Sequence, residues 1–399
     1  MRNGLGTATL TAANNYSGGT RIIGSGIEIG NAGALGTGGI TMSGGVTTAS
    51  LTTSAGVSAS VTGLTISRFA DTGFSAASGQ TLTLGGTLDI DNFVTSMVFG
   101  TLTKTGTVEI GFAPAPGPVN TAFTRVDAGT LRLAAASDLF LLRLGGGMTI
   151  GSLGGQISGL VGTLDLNGFA GGGVNLNGVG AIVNSSATGA RFEALQNAAS
   201  TFSGVIGGGI GSLSLLKSGT GALTLTGANS YTGTTSITGG SLQIGDGGTT
   251  GSIGTGTVSI SSGAQLLLNR SDAVSMANVL TGAGTVQKNL ANTLTLTGIN
   301  TAADAFTGTF NVNGGTLLVN GTVGDVTNRA ATINVASGAA LGGSGTIQGN
   351  VVVANGGILS PGNSPATQTI AGNLTLNDTS VLNFEQAQAG VVGGGINDL

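Results

Sequence analysis

The chain has 399 residues, of which 78 are Gly and only 7% are charged, and its formal net charge at pH 7 is −4. It contains no His and no Cys, which excludes His-dependent acid–base catalysis, disulfides, and zinc or haem sites built on those ligands. Scattered basic residues and the absence of Trp argue against a nucleic-acid partner, while 40% apolar residues argue against a disordered chain.

One repeat recurs along the chain, with its clearest copies at residues 6–45, 217–263 and 294–338. The second copy begins KSGTGALTLTGANSYTGTTSITGGSLQIG at Lys217. Its Asn-x-Tyr-x-Gly core at Asn229–Gly233 matches Asn14–Gly18 in the first copy, and Phe306 stands in the Tyr position of the third. Units of this length that recur along a chain indicate a repeat architecture.

Short strands alternate with Gly-rich turns inside each copy. Apolar residues lie two apart in Leu223–Leu225, Leu242–Ile244 and Val258–Ile260, which places them on one face of a strand. A strand this short cannot bury its apolar face alone, so coiling into stacked rungs of about 20 residues satisfies the pattern best. We predict an all-β fold, a rod-like, right-handed parallel β-helix over residues 1–399. A series of antiparallel sandwiches is the competing fold.

Four stretches depart from this pattern. We predict loops at Ala113–Pro118, which holds three of the five Pro residues, and at Gly145–Gly147 and Gly171–Gly173. Residues Ala190–Ala198 fit either one short helix or a distorted rung, and the sequence leaves both open.

Residues Lys217–Ile244 resemble the passenger-associated transport repeat of bacterial autotransporters, also called the autotransporter-associated β-strand repeat. They follow its K-x-G-x-G-x-L-x-L-x-G-x-N-x-Y-x-G core and the G-G-x-L-x-I strand after it. A second segment, residues 340–376, contains Leu-Ser-Pro-Gly-Asn-Ser-Pro at 359–365 and is similar to the late passenger segment of that family.

The resemblance implies a cell-surface or secreted β-helix that a C-terminal translocator barrel on the same precursor carries across the outer membrane. No barrel-like strand series precedes Leu399 and no signal peptide is visible at Met1, so we expect a piece of a longer precursor. We therefore expect contact with the outer membrane only through that missing barrel.

The resemblance and the absence of catalytic side chains favour adhesion, self-association, or stalk and folding support in type V secretion. The expected partners are cell or abiotic surfaces, glycans or identical chains, and no nucleic acid. We expect the late copies, residues 217–376, to form the most stable rungs.

Carboxylates offer the one route to catalysis that the composition leaves open. Asp89 and Asp91 share one strand face, so the alternative function is a polysaccharide-active hydrolase or lyase. The other explanation, a solvated strand face ending in a turn, is favoured, and we expect no enzyme. Other carboxylates sit beside Gly or Asn as in ordinary turns: Asp127, Asp165 and Asp246.

Ligand motifs are incomplete. Gly245–Gly248 is one acidic turn without the repeated series that calcium-binding solenoids need, and Gly342–Gly345 lacks the Lys-Thr and helix of a phosphate loop. We therefore expect no metal and no cofactor.

Three residue types recur at the corners of the copies. The Tyr residues could stack on sugars, but capping the rod or packing on the next rung is favoured. The Asn residues are predicted to form a side-chain ladder inside a corner. The Lys residues precede turns, and the sequence does not decide whether they are solvated. These residues are Tyr16, Tyr231, Asn14, Asn229, Asn300, Lys104, Lys217 and Lys288.

Overall fold

The computed structural model describes residues 2–3, 6–43, 49–67, 71–90, 96–99, 106–112, 123–134, 147–150, 162–362 and 366–384. These residues form strands and turns without a helix. Within them there is accordingly no helical segment of the length and hydropathy needed to cross a membrane. The chain divides into two compact units, Met1–Leu215 (unit 1) and Leu216–Leu399 (unit 2).

Unit 1 consists of short strands. They are β1 (Arg2–Asn3), β2 (Thr7–Leu10), β3 (Thr20–Ile23), β4 (Gly26–Ile29), β5 (Ile40–Ser43), β6 (Ala49–Thr53), β7 (Ala59–Ser67), β8 (Asp71–Ser75), β9 (Thr81–Ile90), β10 (Ser96–Phe99), β11 (Thr107–Phe112), β12 (Phe123–Val126), β13 (Thr130–Leu133), β14 (Gly147–Ile150), β15 (Thr163–Asp165), β16 (Ala170–Val174), β17 (Asn177–Gly178), β18 (Ala181–Asn184), β19 (Ala190–Leu195), β20 (Ser200–Phe202) and β21 (Val205–Gly209).

Parallel pairing stacks these strands into columns. The longest sheet has ten strands in the order β1-β3-β5-β7-β9-β11-β13-β15-β18-β21, and a second runs from β2 through β4, β6 and β8. In the first sheet Ile22 pairs with Met42 and Met42 with Ile66, so one rung takes 20 residues and the next takes 24.

Strand β22 (Leu213–Ser218) leads into unit 2. The strands that follow are β23 (Ala222–Leu225), β24 (Thr235–Ile237), β25 (Ser241–Ile244), β26 (Val258–Ile260), β27 (Gln265–Leu268), β28 (Val274–Met276), β29 (Leu280–Gly282), β30 (Thr285–Lys288), β31 (Thr293–Leu296), β32 (Thr309–Val312), β33 (Thr316–Val319), β34 (Thr322–Gly324), β35 (Ala331–Val335), β36 (Ala340–Gly343), β37 (Thr346–Val353), β38 (Ile358–Pro361), β39 (Thr369–Ile370), β40 (Leu374–Leu376) and β41 (Val381–Leu382).

Unit 2 repeats the same parallel stacking. One column runs β23-β25-β27-β30-β32-β35-β37-β40, and another runs β28-β31-β33-β36-β38-β41. Both units are therefore parallel β-solenoids, which confirms the predicted fold class and excludes antiparallel sandwiches. The rung of about 20 residues is also confirmed.

The core of each unit lies inside the coil, because alternate residues of strands such as β13, β23 and β33 are buried. In unit 2 a register column of aliphatic and aromatic residues is 0–1% exposed: Leu223, Leu242, Leu266, Val286, Phe310, Ile333 and Val351. Each such side chain contributes about 1.5–3 kcal/mol on burial, which offsets the entropy of ordering Gly-rich corners.

Two predictions about irregular stretches are settled by the strands. Residues Ala190–Leu195 form β19, so this stretch is a rung and not a helix. The loop predicted at Gly171–Gly173 is wrong, because these residues form β16 and are buried. A Cβ at Gly173 would lie 2.5 Å from the Sδ atom of Met148, so close packing requires glycine there.

The remaining two loop predictions fall largely outside the description. Ala113–Pro118 lies outside the described residues, and of Gly145–Gly147 only Gly147 is described, as the first residue of β14.

Candidate functional site

The repeat copies place the same polar side chains at one kind of turn, which we call the repeat corner. The first corner is residues 14–20 in unit 1, and the second corner is residues 229–235 in unit 2. Each corner connects to a strand that begins with Thr, Thr20 of β3 and Thr235 of β24. The Thr20 N–H donates to Gly39 O at 3.0 Å, and the Thr235 N–H donates to Thr257 O at 2.9 Å. The two corners are therefore equivalent in structure as well as in sequence.

Tyr231 is buried in the second corner. Its side chain is 1% exposed, and its Oη lies 2.7 Å from Thr235 Oγ1. A Cβ on Gly254 would lie 2.3 Å from Tyr231 Cδ2, so the ring packs directly on the backbone of the next rung. Burial raises the pKa of Tyr231 to about 12. The prediction that this tyrosine packs on the next rung, instead of stacking on sugars, is confirmed.

Tyr16 keeps the same hydroxyl contact in the first corner but lies at the surface. Its Oη is 2.6 Å from Thr20 Oγ1, yet its side chain is 37% exposed. The ring also approaches a glycine of the next rung, since a Cβ on Gly36 would lie 2.9 Å from Tyr16 Cδ2. The same motif thus gives a core residue in one unit and a partly exposed aromatic ring in the other.

The corner asparagines hold the turns through the backbone. Asn229 Nδ2 donates to Ser252 O at 2.7 Å, one rung further along the chain. Asn300 Nδ2 donates to Asp304 O at 2.7 Å in its own turn and also to Leu280 O. The predicted side-chain ladder is therefore replaced by amide-to-carbonyl bonds, because turn carbonyls inside the coil need donors that strands do not supply.

Lys217 is buried at the last inward position of β22, directly before the final residue, Ser218. Its side chain is 0% exposed, and its ammonium donates to three carbonyl oxygens, Ser218 O at 2.9 Å, Gly219 O at 3.1 Å and Gly239 O at 2.9 Å. Burial lowers the pKa of Lys217 to about 8. All three donors of the ammonium are used, so it closes the turn as a backbone cap.

Lys288 repeats this arrangement at the end of β30. It pairs in register with Leu268 and Val312, at an inward position, and is 1% exposed. Its ammonium donates to Gly314 O at 2.8 Å, to Asn292 Oδ1 at 2.9 Å and to Leu290 O. Burial lowers its pKa to about 8 as well. The solvated alternative is thus wrong for these two lysines, and Lys104 lies outside the described residues.

The structure describes four of the five carboxylates singled out in the sequence. Asp91 lies outside the described residues, and Asp89 belongs to β9. Asp127 pairs with Arg125 at 2.9 Å, and Asp246 Oδ1 accepts from Gly248 N within its turn. In the part of the chain that the structure describes, no three His, Cys, Asp or Glu residues are grouped so that they could hold one metal ion.

One carboxylate that the sequence placed in an ordinary turn is instead the centre of a buried network in unit 1. Asp165 is 2% exposed and accepts hydrogen bonds from Arg132 Nε at 2.9 Å and from Ser185 Oγ at 2.7 Å. Burial alone would raise the pKa of Asp165, but the hydrogen bonds from Ser185, Arg132 and Asn167 outweigh it and lower the pKa. The network closes the corner after β15. A carboxylate two residues before an Asn-Gly pair, Asn167–Gly168, was the available signal.

One outward register column of unit 2 contains no charged residue from β23 to β35; it is mostly polar and also includes Leu267. Outward positions include Thr224, Gln243, Gln287, Asn311 and Asn334, which alternate with the buried column. Asn334 Nδ2 donates to Asn311 Oδ1 on the neighbouring rung at 2.9 Å. Amide and hydroxyl groups can exchange water for a partner at lower cost than charged groups can.

The chain matches the family model of the passenger-associated transport repeat at residues 2–26, 215–244 and 291–319. Over 154 residues it is 34% identical to the adhesin BmaC autotransporter of Brucella suis biovar 1 (strain 1330). The aligned residues make up 37% of this chain. The matched stretch spans 4% of that protein's length. No solved structure matches the chain. These findings confirm the predicted resemblance to autotransporter passengers.

Proposed function

We propose that this autotransporter passenger region, a β-solenoid of transport repeats, acts at the cell surface as an adhesive stalk. A passenger region is surface-associated or secreted, and we place its activity on the surface of the producing cell. The observation that carries the proposal is the match to transport repeats together with a relative that is named an adhesin. Its partners would be host-cell or abiotic surfaces, glycans or identical chains.

The structure supports an adhesive surface over a catalytic one. The outward amides and hydroxyls of unit 2, such as Asn311 and Asn334, are presented by rungs that a continuous apolar core holds in register. A net charge of −4 over 399 residues gives little long-range repulsion between neighbouring chains or with a surface. The chain would therefore bind through many weak polar contacts repeated along its length.

Surface display tests this function. The full chain would be joined to an unrelated translocator on a non-adherent bacterium, and the matched control would carry the translocator alone. We expect faster settling or greater retention on epithelial cells or on glass than in the control. Equal settling and equal retention on both surfaces, with the chain shown to be exposed by antibody labelling, would remove adhesion from the proposal and leave only the stalk.

A further inference from the structure

A polar groove lies on unit 1 beside the first corner. It has a volume of about 520 Å³ and is open to solvent. Its floor is the backbone of Gly19, Gly39 and Gly63, which follow one another on three successive rungs. Clefts of about 300–1,000 Å³ are the usual size of ligand sites.

The wall of the groove is a column of hydrogen-bonding side chains. Arg21 pairs in register with Thr41, and Thr41 pairs with Thr65. Rungs are about 4.8 Å apart, so these three side chains span about 10 Å of the surface. Ser17 adds a further hydroxyl at the corner. The wall thus offers one guanidinium and two hydroxyl groups in a row, and the corner adds a third hydroxyl.

The same place in the second corner is occupied by side chains. Thr235 pairs with Val258 and Val258 with Leu280, so the residues before them, Thr234, Thr257 and Val279, stand where the first corner has its three glycines. At the Arg21 position the second copy has Ser236. The groove is therefore a feature of the first copy and is not a by-product of the repeat.

The chemistry of the lining selects a class of ligand. Strand β5 is paired with β3 on one side and β7 on the other, so the groove offers no free sheet edge to an extended peptide. Hydroxyl groups and exposed backbone suit a polyhydroxylated chain, and a guanidinium forms its strongest hydrogen bonds with a carboxylate. A sugar polymer with carboxylate groups fits both requirements.

We propose that this groove binds an acidic oligosaccharide, with Arg21 on a uronate carboxylate and the hydroxyls of Thr41 and Thr65 on neighbouring sugar hydroxyls. The inference rests on the proposed adhesive function, since it names the partner class and the site. The partly exposed Tyr16 directly precedes Ser17, which lines the groove, so this aromatic residue adjoins the proposed site in the chain.

Titration calorimetry with the full chain tests the site. The probes are a galacturonate hexamer, a mannuronate hexamer and, as the neutral control, a galactose hexamer. We expect saturable binding of at least one acidic hexamer and weaker binding of the neutral one. The substitution Arg21→Gln removes a charge-assisted hydrogen bond, so it should lower the affinity for the acidic hexamer by about tenfold or more.

A second variant fills the groove without straining the backbone. A Cβ on Gly39 would have Gly63 O at 3.4 Å as its nearest neighbour, an ordinary contact, and the equivalent residue of unit 2 is already Thr257. Gly39→Thr should therefore abolish binding while the thermal unfolding midpoint stays unchanged. The matched control, Thr257→Ser in the second corner, should bind like the parent chain.

The outcomes separate the site from the function. If neither acidic hexamer binds, or if both bind Arg21→Gln and Gly39→Thr as tightly as the parent chain, the proposed site is wrong. Cells that display Gly39→Thr and adhere as well as the parent would also overturn the groove as the adhesive site, while leaving adhesion itself standing. Loss of hexamer binding and of adhesion together would support the inference.

Discussion

The first and second corners share one sequence motif but differ in their solvent exposure and in the residues that border them. Tyr231 in unit 2 is 1% exposed, whereas Tyr16 in unit 1 is 37% exposed, although both hydroxyls contact the Thr four residues later. The first corner is bordered by an open polar groove, and the second by Thr and Val side chains. A transport repeat can therefore be a closed structural unit in one rung and a surface feature in another.

The largest expected difference comes from removing the two tyrosine rings. Tyr231→Ala should lower the free energy of unfolding of unit 2 by about 3–5 kcal/mol, because a large ring leaves the core. Tyr16→Ala should lower the free energy of unfolding of unit 1 by about 1 kcal/mol or less, since much of the Tyr16 ring already faces water. Urea unfolding combined with hydrogen exchange of the corner peptides measures both. Equal losses in the two units would show that burial does not distinguish the corners.

The next largest effect comes from Lys217 and Lys288, the buried lysines among the described residues, which both belong to unit 2. Lys217→Met would leave the carbonyls of Ser218, Gly219 and Gly239 without their donor inside the coil. We expect a loss of about 2–4 kcal/mol in the free energy of unfolding, since unpaired buried polar groups are costly. Leu215→Met on the same strand is the control and should cost less than about 1.5 kcal/mol. Unchanged or higher stability of Lys217→Met would mean that the ammonium contributes nothing to the turn.

Alkaline titration should separate the lysines from the tyrosine, because the chain has no Cys and no His and only two Tyr residues. The pKa values of Lys217 and Lys288 are lowered to about 8 in the folded chain, so the unfolded chain binds more protons above that pH. Stability should therefore rise from pH 8 to about pH 10, by about 1–3 kcal/mol for each lysine.

Above pH 10 the sign reverses. The pKa of Tyr231 is raised to about 12, so its stabilising contribution is complete below the ordinary tyrosine pKa of about 10 and is lost between the two values. The free energy of unfolding, measured by urea titration at each pH, should pass through a maximum near pH 10. The double variant Lys217→Met, Lys288→Met should flatten the rise, and Tyr231→Phe should remove the fall. A curve that declines steadily from pH 8 would contradict the lysine assignment.

The fold was predictable because its two signals are local and repeated. Apolar residues two apart, as in Leu242 and Ile244, specify a strand with one buried face, and the glycines between such strands specify corners. These signals recur about every 20 residues, so stacking is the arrangement that buries all of them. Composition and period favoured the parallel solenoid over a series of antiparallel sandwiches, and the parallel strand pairing decides between the two.

The burial of the corner lysines was harder to predict, because the usual exposure of lysine conflicts with its inward position in the alternating pattern of the strand. Lys217 follows Leu213 and Leu215 at two-residue spacing, and this alternation places it inward with them. The general rule that lysine is exposed argued the other way, and only the three carbonyls at the turn decide the matter. The buried Gly171–Gly173 strand was missed because the side chains that crowd these glycines lie outside the Gly-rich stretch, Leu166 and Leu133 at Gly171 and Met148 at Gly173.

The smallest expected effect is also the most closely matched comparison of the two units. Asn14 Nδ2 donates to Ala34 O and Ala12 O at 2.7 and 3.3 Å, and Asn229 Nδ2 donates to Ser252 O and Gly227 O at the same two distances. The side-chain amides differ in their exposure, since Asn14 is exposed and Asn229 is 7% exposed.

Replacing each asparagine by alanine therefore isolates the effect of water. In unit 1 water can take the place of the Asn14 amide, so Asn14→Ala should cost about 0.5 kcal/mol. In unit 2 the two carbonyls lose a buried donor, so Asn229→Ala should cost about 1–2 kcal/mol. Hydrogen exchange of the corner amides measures both as changes in the free energy of local opening. If the two costs are equal, solvent access does not set the strength of these bonds, and the contrast between the corners is limited to their tyrosines and lysines.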